Sequence, residues 1–209
     1  FKKLKEKNYI AKGEHAVVYC DKCKFPIGDH DRAQGEGVMP EEVILLKFKL
    51  KNTSEILPVA TYRPETIYGA TNLWIHPEGS YAKIKMKNSG EIWIVSKEII
   101  ANLRDQNFEF EELAEIKGKD LIKKKVINLV TGSEIPILPA KFIDLKIGTG
   151  IVMSVPAHAP FDYIGVKELR ENKNFRESYG LDEEDLKFEF ISLIELHGYG
   201  EFPAVEIVE

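Results

Sequence analysis

Short runs in which apolar and polar residues alternate, or in which apolar residues follow one another without a break, recur along most of this chain and predict strands. Residues 42–51 (E-V-I-L-L-K-F-K-L-K) end in alternation, and residues 56–63 follow the turn-forming Asn52-Thr53-Ser54. Further short strands are predicted at 16–19, 71–75, 81–86 and 91–95, the last two joined by Asn88-Ser89-Gly90. Residues 126–130 and 134–138 flank Thr131-Gly132-Ser133, a second hairpin signal. Residues 150–155 form a continuous apolar run, as in a strand covered on both faces, and 188–196 and 204–208 complete the set. Helical signals are sparser. Ser96 can cap a helix at 97–103, Pro160 precedes a helix at 161–173 whose apolar positions are Phe161, Ile164 and Leu169, and 181–186 is a short acidic helix. Many strands with few helices predict an α+β, mainly β fold: a compact β-barrel-like core with peripheral helices.

Composition narrows the setting. The 209 residues are 44% hydrophobic and 30% charged, enough for one large domain with a solvated surface. No run of about 18 apolar residues occurs, so no membrane partner is expected, no secretory signal is visible, and the two cysteines suit a reduced, cytoplasmic location. The chain starts at Phe1 with a basic stretch, as a piece cut from a longer protein would. Residues 1–40, rich in Gly, Pro and charge, are expected to be a connecting strap, with 41–209 as the core. A net charge of -5 argues against an autonomous, tight nucleic-acid binder, although a domain that receives only the tip of an RNA needs few phosphate contacts.

Candidate chemistry gathers in two segments. In Thr61-Tyr62-Arg63-Pro64-Glu65-Thr66, Pro64 ends a strand and keeps Arg63 extended, so the chain leaves the sheet beside two threonine hydroxyls. In Gly148–Asp162 (G-T-G-I-V-M-S-V-P-A-H-A-P-F-D), two glycines permit a tight turn into the apolar strand, and Pro156 ends that strand before a helix start carrying Asp162. Alone, Thr66 reads first as an ordinary cap, and Asp162 has a plain explanation as a helix-dipole partner. Cys20 and Cys23, spaced C-x-x-C, are too few for a disulfide framework and make only half a zinc site, for which His15 and His30 stand at no standard spacing. No metal is assigned. Gly-rich phosphate loops and the G-x-S-x-G nucleophile motif are absent.

The extended context of both segments resembles the editing domain of class I aminoacyl-tRNA synthetases, most closely the leucyl type of archaea and eukaryotes. The stretch from Ala60 to Trp74, A-T-Y-R-P-E-T-I-Y-G-A-T-N-L-W, is similar to that family's threonine-rich region with its T-N-x-W continuation. G-T-G-(apolar)-V-P-x-H-x-x-x-D-Y is matched through Asp162-Tyr163, and G-D-H-D-R…G-E-G-V over residues 28–38 is a third, independent likeness. The resemblance implies hydrolysis of mischarged tRNA(Leu), carrying isoleucine, norvaline or methionine, at its 3′ end, within a longer synthetase polypeptide. It implies no cofactor for editing, ATP and Mg being confined to the parent's catalytic core, whose signatures are missing here. It further implies that Asp162 holds the substrate ammonium, that Thr66 excludes leucine, that Thr61 lines the reaction centre, that Arg63 organises the loop or reaches RNA, and that backbone groups from Met153 to Val155 meet the terminal adenosine. Where many relatives have a second threonine this chain has Tyr62, and His158 receives no general-base role. A valyl editing domain that removes threonine, a non-catalytic RNA-contacting insertion and a zinc-dependent interaction module stand as alternatives.

Overall fold

The computed structural model describes residues 1–13, 17–20, 22–32, 34 and 42–208. His15 and the G-E-G-V part of the third motif lie outside the described residues. The chain divides into two units, Phe1–Glu42 and Val43–Glu209. The first contains a short helix α1 (Lys2–Glu6) and an antiparallel pair of two-residue strands, β1 (Tyr19–Cys20) and β2 (Phe25–Pro26). Their connection holds the C-x-x-C, in which the Cys23 N–H donates to the Cys20 sulfur at 3.3 Å.

The second unit is built on nine strands: β3 (Ile44–Leu50), β4 (Glu55–Thr61), β5 (Asn72–Ile75), β6 (Ser80–Met86), β7 (Ile92–Ser96), β8 (Phe110–Lys117), β9 (Lys125–Asn128), β10 (Glu134–Pro139) and β11 (Ile151–Ser154). Their order in one mixed sheet is β11-β5-β10-β9-β3-β4-β7-β6-β8, with parallel pairing only between β10 and β5 and between β4 and β7. The expected barrel-like closure does not occur. The terminal strands β11 and β8 are not bonded to each other, so the sheet is open. The physical reason is legible at both ends. β8 is an edge strand whose side chains include the exposed Glu111, Glu112, Glu115 and Lys117, a charge pattern that discourages further pairing. At the other end, β11 and the end of β4 border a cavity instead of forming a ladder.

Both predicted hairpin turns form, with Gly90 and Gly132 at φ 72° and 75°. Ser96 caps the predicted helical turn by accepting from the Glu98 N–H, and α2 (Ile100–Asp105) continues it. Two buried clusters result. The larger includes Phe48, Leu57, Trp74, Ile137 and Leu138 with Val166 and Leu169, and the smaller sets Ile84, Trp93 and Val95 against Ile99, Ile100 and Leu103.

Four expected elements differ. Helix α3 (Pro160–Glu171) forms, but it buries Asp162, Tyr163, Val166 and Leu169, whereas Phe161 and Ile164 face solvent. A separate turn of helix, α4 (Lys173–Ser178), follows, and 181–186 supplies only a 3-10 turn at Glu184–Leu186. Residues 188–196 join no ladder. Their start is held by Arg170, whose guanidinium lies 5.1 and 4.9 Å from the Phe188 and Phe190 ring centres and donates to the carbonyls of Leu186 and Phe188. The apolar alternation there matches a helix surface rather than a neighbouring strand. Residues 204–208 are helical, in α5 (Pro203–Val208), with proline at the first position as helices prefer.

Candidate functional site

The T-Y-R-P-E-T segment and the end of β11 face one another across a cavity of about 460 Å³. It is lined by Thr61, Arg63, Thr66, Met153, Val155 and Asp162, so all six expected site residues are brought to one place. Its volume falls within the roughly 300–1,000 Å³ usual for small-molecule sites. Two larger clefts, along α3 and the 183–189 segment, are lined mainly by charged surface residues and contain none of these groups.

Local sequence explains the first wall. Pro64 stops β4 and opens a 3-10 turn over Pro64–Gly69. Both threonines bond to the Arg63 peptide. The Arg63 N–H donates to the Thr61 hydroxyl oxygen at 3.0 Å, and the Thr66 hydroxyl donates to the Arg63 carbonyl at 2.6 Å. The two hydroxyls are thereby made unequal. The Thr66 hydroxyl spends its only proton on the Arg63 carbonyl, whereas the Thr61 hydroxyl accepts in its bond to the Arg63 N–H. The Arg63 side chain runs outward to Glu65, Nε to Oε1 at 3.0 Å, and both are exposed.

The second wall begins with a turn at Gly148, whose φ is 59°. A Cβ there would lie 2.9 Å from the Ala60 Cβ, so the glycine lets the two walls approach. The turn is anchored by the Thr149 carbonyl, which accepts from the Ser96 N–H, and by the Gly150 carbonyl, which accepts from the buried Tyr81 hydroxyl. β11 then carries Val152 and Met153 to the cavity, with Val155 just past its end.

Asp162 sits in the first turn of α3 but does not cap it. The carboxylate turns back into the protein, 7% exposed. Oδ1 accepts from the Trp74 indole at 2.9 Å and Oδ2 from the Val155 N–H at 2.8 Å. Among the described residues no cation pairs with it. Burial pushes its pKa up to about 6, against the two hydrogen bonds that favour the anion. The carboxylate is thus fixed by two donors and desolvated with no counter-charge among the described residues, an arrangement that disfavours the anion until a cation approaches.

His158, also on the cavity wall, accepts at Nε2 from the Leu193 N–H at 2.8 Å. That bond leaves the proton on Nδ1, and burial lowers the ring's pKa, so the imidazole is neutral. Two contributors escaped the sequence reading. Trp74 was traceable, since a buried indole N–H needs an acceptor and T-N-x-W places it on a strand beside β11. Leu193 was not, because 35 residues separate it from His158. Elsewhere, no group of three or more His, Cys, Asp or Glu able to hold a metal occurs among the described residues. No helix among them is long and apolar enough to cross a membrane.

The fold is that of an aminoacyl-tRNA synthetase editing domain. The sequence model of the family "Leucyl-tRNA synthetase, editing domain" matches residues 41–171, and the chain belongs to that family. The leucine–tRNA ligase of Pyrococcus abyssi is 49% identical over 214 residues, covering 100% of this chain and 22% of that protein. The crystal structure of GlLeuRS-CP1 superposes with a TM-score of 0.73 at 32% identity, covering 79% of this chain and 76% of that one. The editing domain of the cytosolic leucyl-tRNA synthetase of P. falciparum gives 0.67 at 27% identity, with 75% and 60% covered. The chain thus spans about a fifth of the length of the curated relatives it matches.

Proposed function

We propose that this chain is the hydrolytic editing part of a leucyl-tRNA synthetase, cleaving the ester that joins a non-cognate amino acid to the 3′-terminal adenosine of tRNA(Leu). Isoleucine, norvaline and methionine are the side chains to be removed. The observation that carries the reading is the buried, cation-free Asp162 facing Thr61 and Thr66 across a cavity of amino-acid scale. Every aminoacyl ester brings an α-ammonium, which supplies the counter-charge Asp162 lacks. Discharged tRNA brings none, so product leaves.

The roles follow from the hydrogen-bond inventory. Asp162 fixes the α-carbon through the ammonium. Thr61, with its proton free, donates to the ester carbonyl or to the attacking water. Thr66, with its proton committed to Arg63, excludes the branched end of leucine by bulk. Backbone groups from Met153 to Val155, at and just past the end of β11, meet the adenosine, the Val155 N–H being already committed to Asp162, and Arg63 serves chiefly through its peptide. Water adds to the carbonyl carbon and the ribose oxygen departs with a proton. The ester is intrinsically reactive, so positioning supplies much of the rate. The need for such a site is general: one methylene gives only ~1–3 kcal/mol of discrimination, a limit sibling synthetases share. Residues 1–40 form the strap to the parent polypeptide, a reading supported by the separate grouping of Phe1–Glu42.

Deacylation of isoleucyl-tRNA(Leu) by the full-length enzyme tests the reading. Removing one member of a desolvated charge pair costs roughly 2–5 kcal/mol, so Asp162→Ala should slow hydrolysis by about thirtyfold to several thousandfold. Near-normal deacylation by a folded Asp162→Ala protein would remove the ammonium anchor.

A further inference from the structure

The two walls of the pocket share a contact that lies outside the residues matched by the family's sequence model, which ends at 171. Gly69 closes the 3-10 turn that contains Thr66. A Cβ built on it would lie 2.9 Å from Leu193 Cδ1 and 3.0 Å from Val155 Cγ1. The Leu193 side chain therefore packs where the turn bearing Thr66 meets the end of β11. The same residue's N–H donates to His158 Nε2 at 2.8 Å, on the second wall. A second tie, from the Ala204 N–H to the Ala157 carbonyl at 3.1 Å, holds the chain that follows against that wall. Residues 188–196 belong to no sheet; these contacts, the Arg170 clamp and an isolated bridge from Leu196 to Gly200 fix their course.

We propose that Leu193 is a positioning residue for specificity: its side chain on Gly69 and Val155, and its amide on His158, hold the Thr66 wall and the Val155–Asp162 wall at a set separation. It touches no reacting atom. The pocket rejects leucine only if Thr66 cannot recede, and the Leu193 side chain packs on Gly69, which closes the turn that carries Thr66. The inference rests on the editing function proposed above and adds the element that sets pocket width. Because a single methylene decides about ten- to two-hundredfold in such a pocket, a small outward shift of one wall is enough to lose the distinction.

The test uses the full-length enzyme and measures deacylation of isoleucyl- and leucyl-tRNA(Leu) side by side. Leu193→Ala keeps the amide and removes the wedge. It should lower the isoleucyl-to-leucyl ratio of kcat/KM by about tenfold, chiefly through newly gained leucyl hydrolysis. Gly69→Ala, whose added methyl forces Leu193 and Val155 apart, should shift the ratio in the same direction even if Leu193→Ala does not fold. His158→Gln, which retains an acceptor for the Leu193 N–H, should keep the ratio closer to wild type than His158→Ala does. Loss of activity on both substrates in equal proportion would mark a merely structural role and overturn the proposal. So would an unchanged ratio in folded Leu193→Ala and Gly69→Ala. If the wild-type enzyme itself leaves isoleucyl-tRNA intact, the editing function fails first, and the positioning role falls with it.

Discussion

Replacing Asp162 with asparagine removes a buried charge at almost constant volume, and the consequence for stability can be worked from the structure. The carboxyl ordinarily titrates at 3.8, and burial raises it to about 6 in the fold. Keeping it ionised at neutral pH therefore costs the folded state about 3 kcal/mol. The folded value lies above the unfolded one, so the folded protein binds the proton more tightly. The penalty is complete above about pH 6 and vanishes as pH falls towards about 3. Asparagine carries no such penalty but offers a single oxygen to two donors, Trp74 and Val155, and leaving one unmatched costs about 1–3 kcal/mol. The two effects nearly cancel at pH 7, where Asp162→Asn should lie within about 2 kcal/mol of wild type. As pH is lowered from 7 to about 3, wild type should gain about 3 kcal/mol relative to the variant. Urea unfolding of both proteins at matched pH values reads this directly, because every other titrating group is common to the pair. A stability difference that stays flat across this range would show that the carboxylate is hydrated or already paired, and the argument for an empty cation receptor would collapse. The same titration should impose an acid limb near pH 6 on kcat/KM for deacylation, since a protonated Asp162 cannot hold an ammonium.

Two further substitutions probe the supports of the site. Trp74→Phe removes the donor to Asp162 Oδ1 while keeping an aromatic core residue; a hydrogen bond to a charged group is worth about 1.5–3 kcal/mol, so deacylation should fall by roughly ten- to a hundredfold in a folded protein, and a rate within twofold of wild type would deny Trp74 a positioning role. Gly148→Ala places a methyl 2.9 Å from the Ala60 Cβ at a φ of 59°, and should destabilise the domain by at least about 1 kcal/mol in urea unfolding, with an unchanged midpoint arguing against close apposition of the walls.

What the sequence revealed and what it hid follow a physical division. The hairpins around Gly90 and Gly132 were legible because turn chemistry is local. The two pocket walls were legible because Pro64 and Pro156 mark where strands must end. β8 was hidden: F-E-E-L-A-E-I-K carries the charge of an exposed edge strand, and no periodic apolar face announces it. Residues 188–196 misled in the opposite sense, since alternation such as F-E-F-I records burial on one side, and the covering surface proved to be α3 with Arg170. Barrel closure depends on whether two distant edges meet, which strand count alone does not decide. The orientation of Asp162 was equally non-local. Its position in a helix's first turn suggests a cap, and only the packing of β5 and β11 against α3 redirects the carboxylate to Trp74 and Val155.

The most direct measurement of the central claim is hydrolysis of correctly charged leucyl-tRNA(Leu) by full-length wild type and by Thr66→Ala. Thr61, Thr66 and Asp162 line the same cavity, and if Thr66 excludes leucine by its bulk, as proposed, wild type should spare leucine and the variant should release it. Continued sparing of leucine by a folded variant that still deacylates isoleucyl-tRNA would contradict the account.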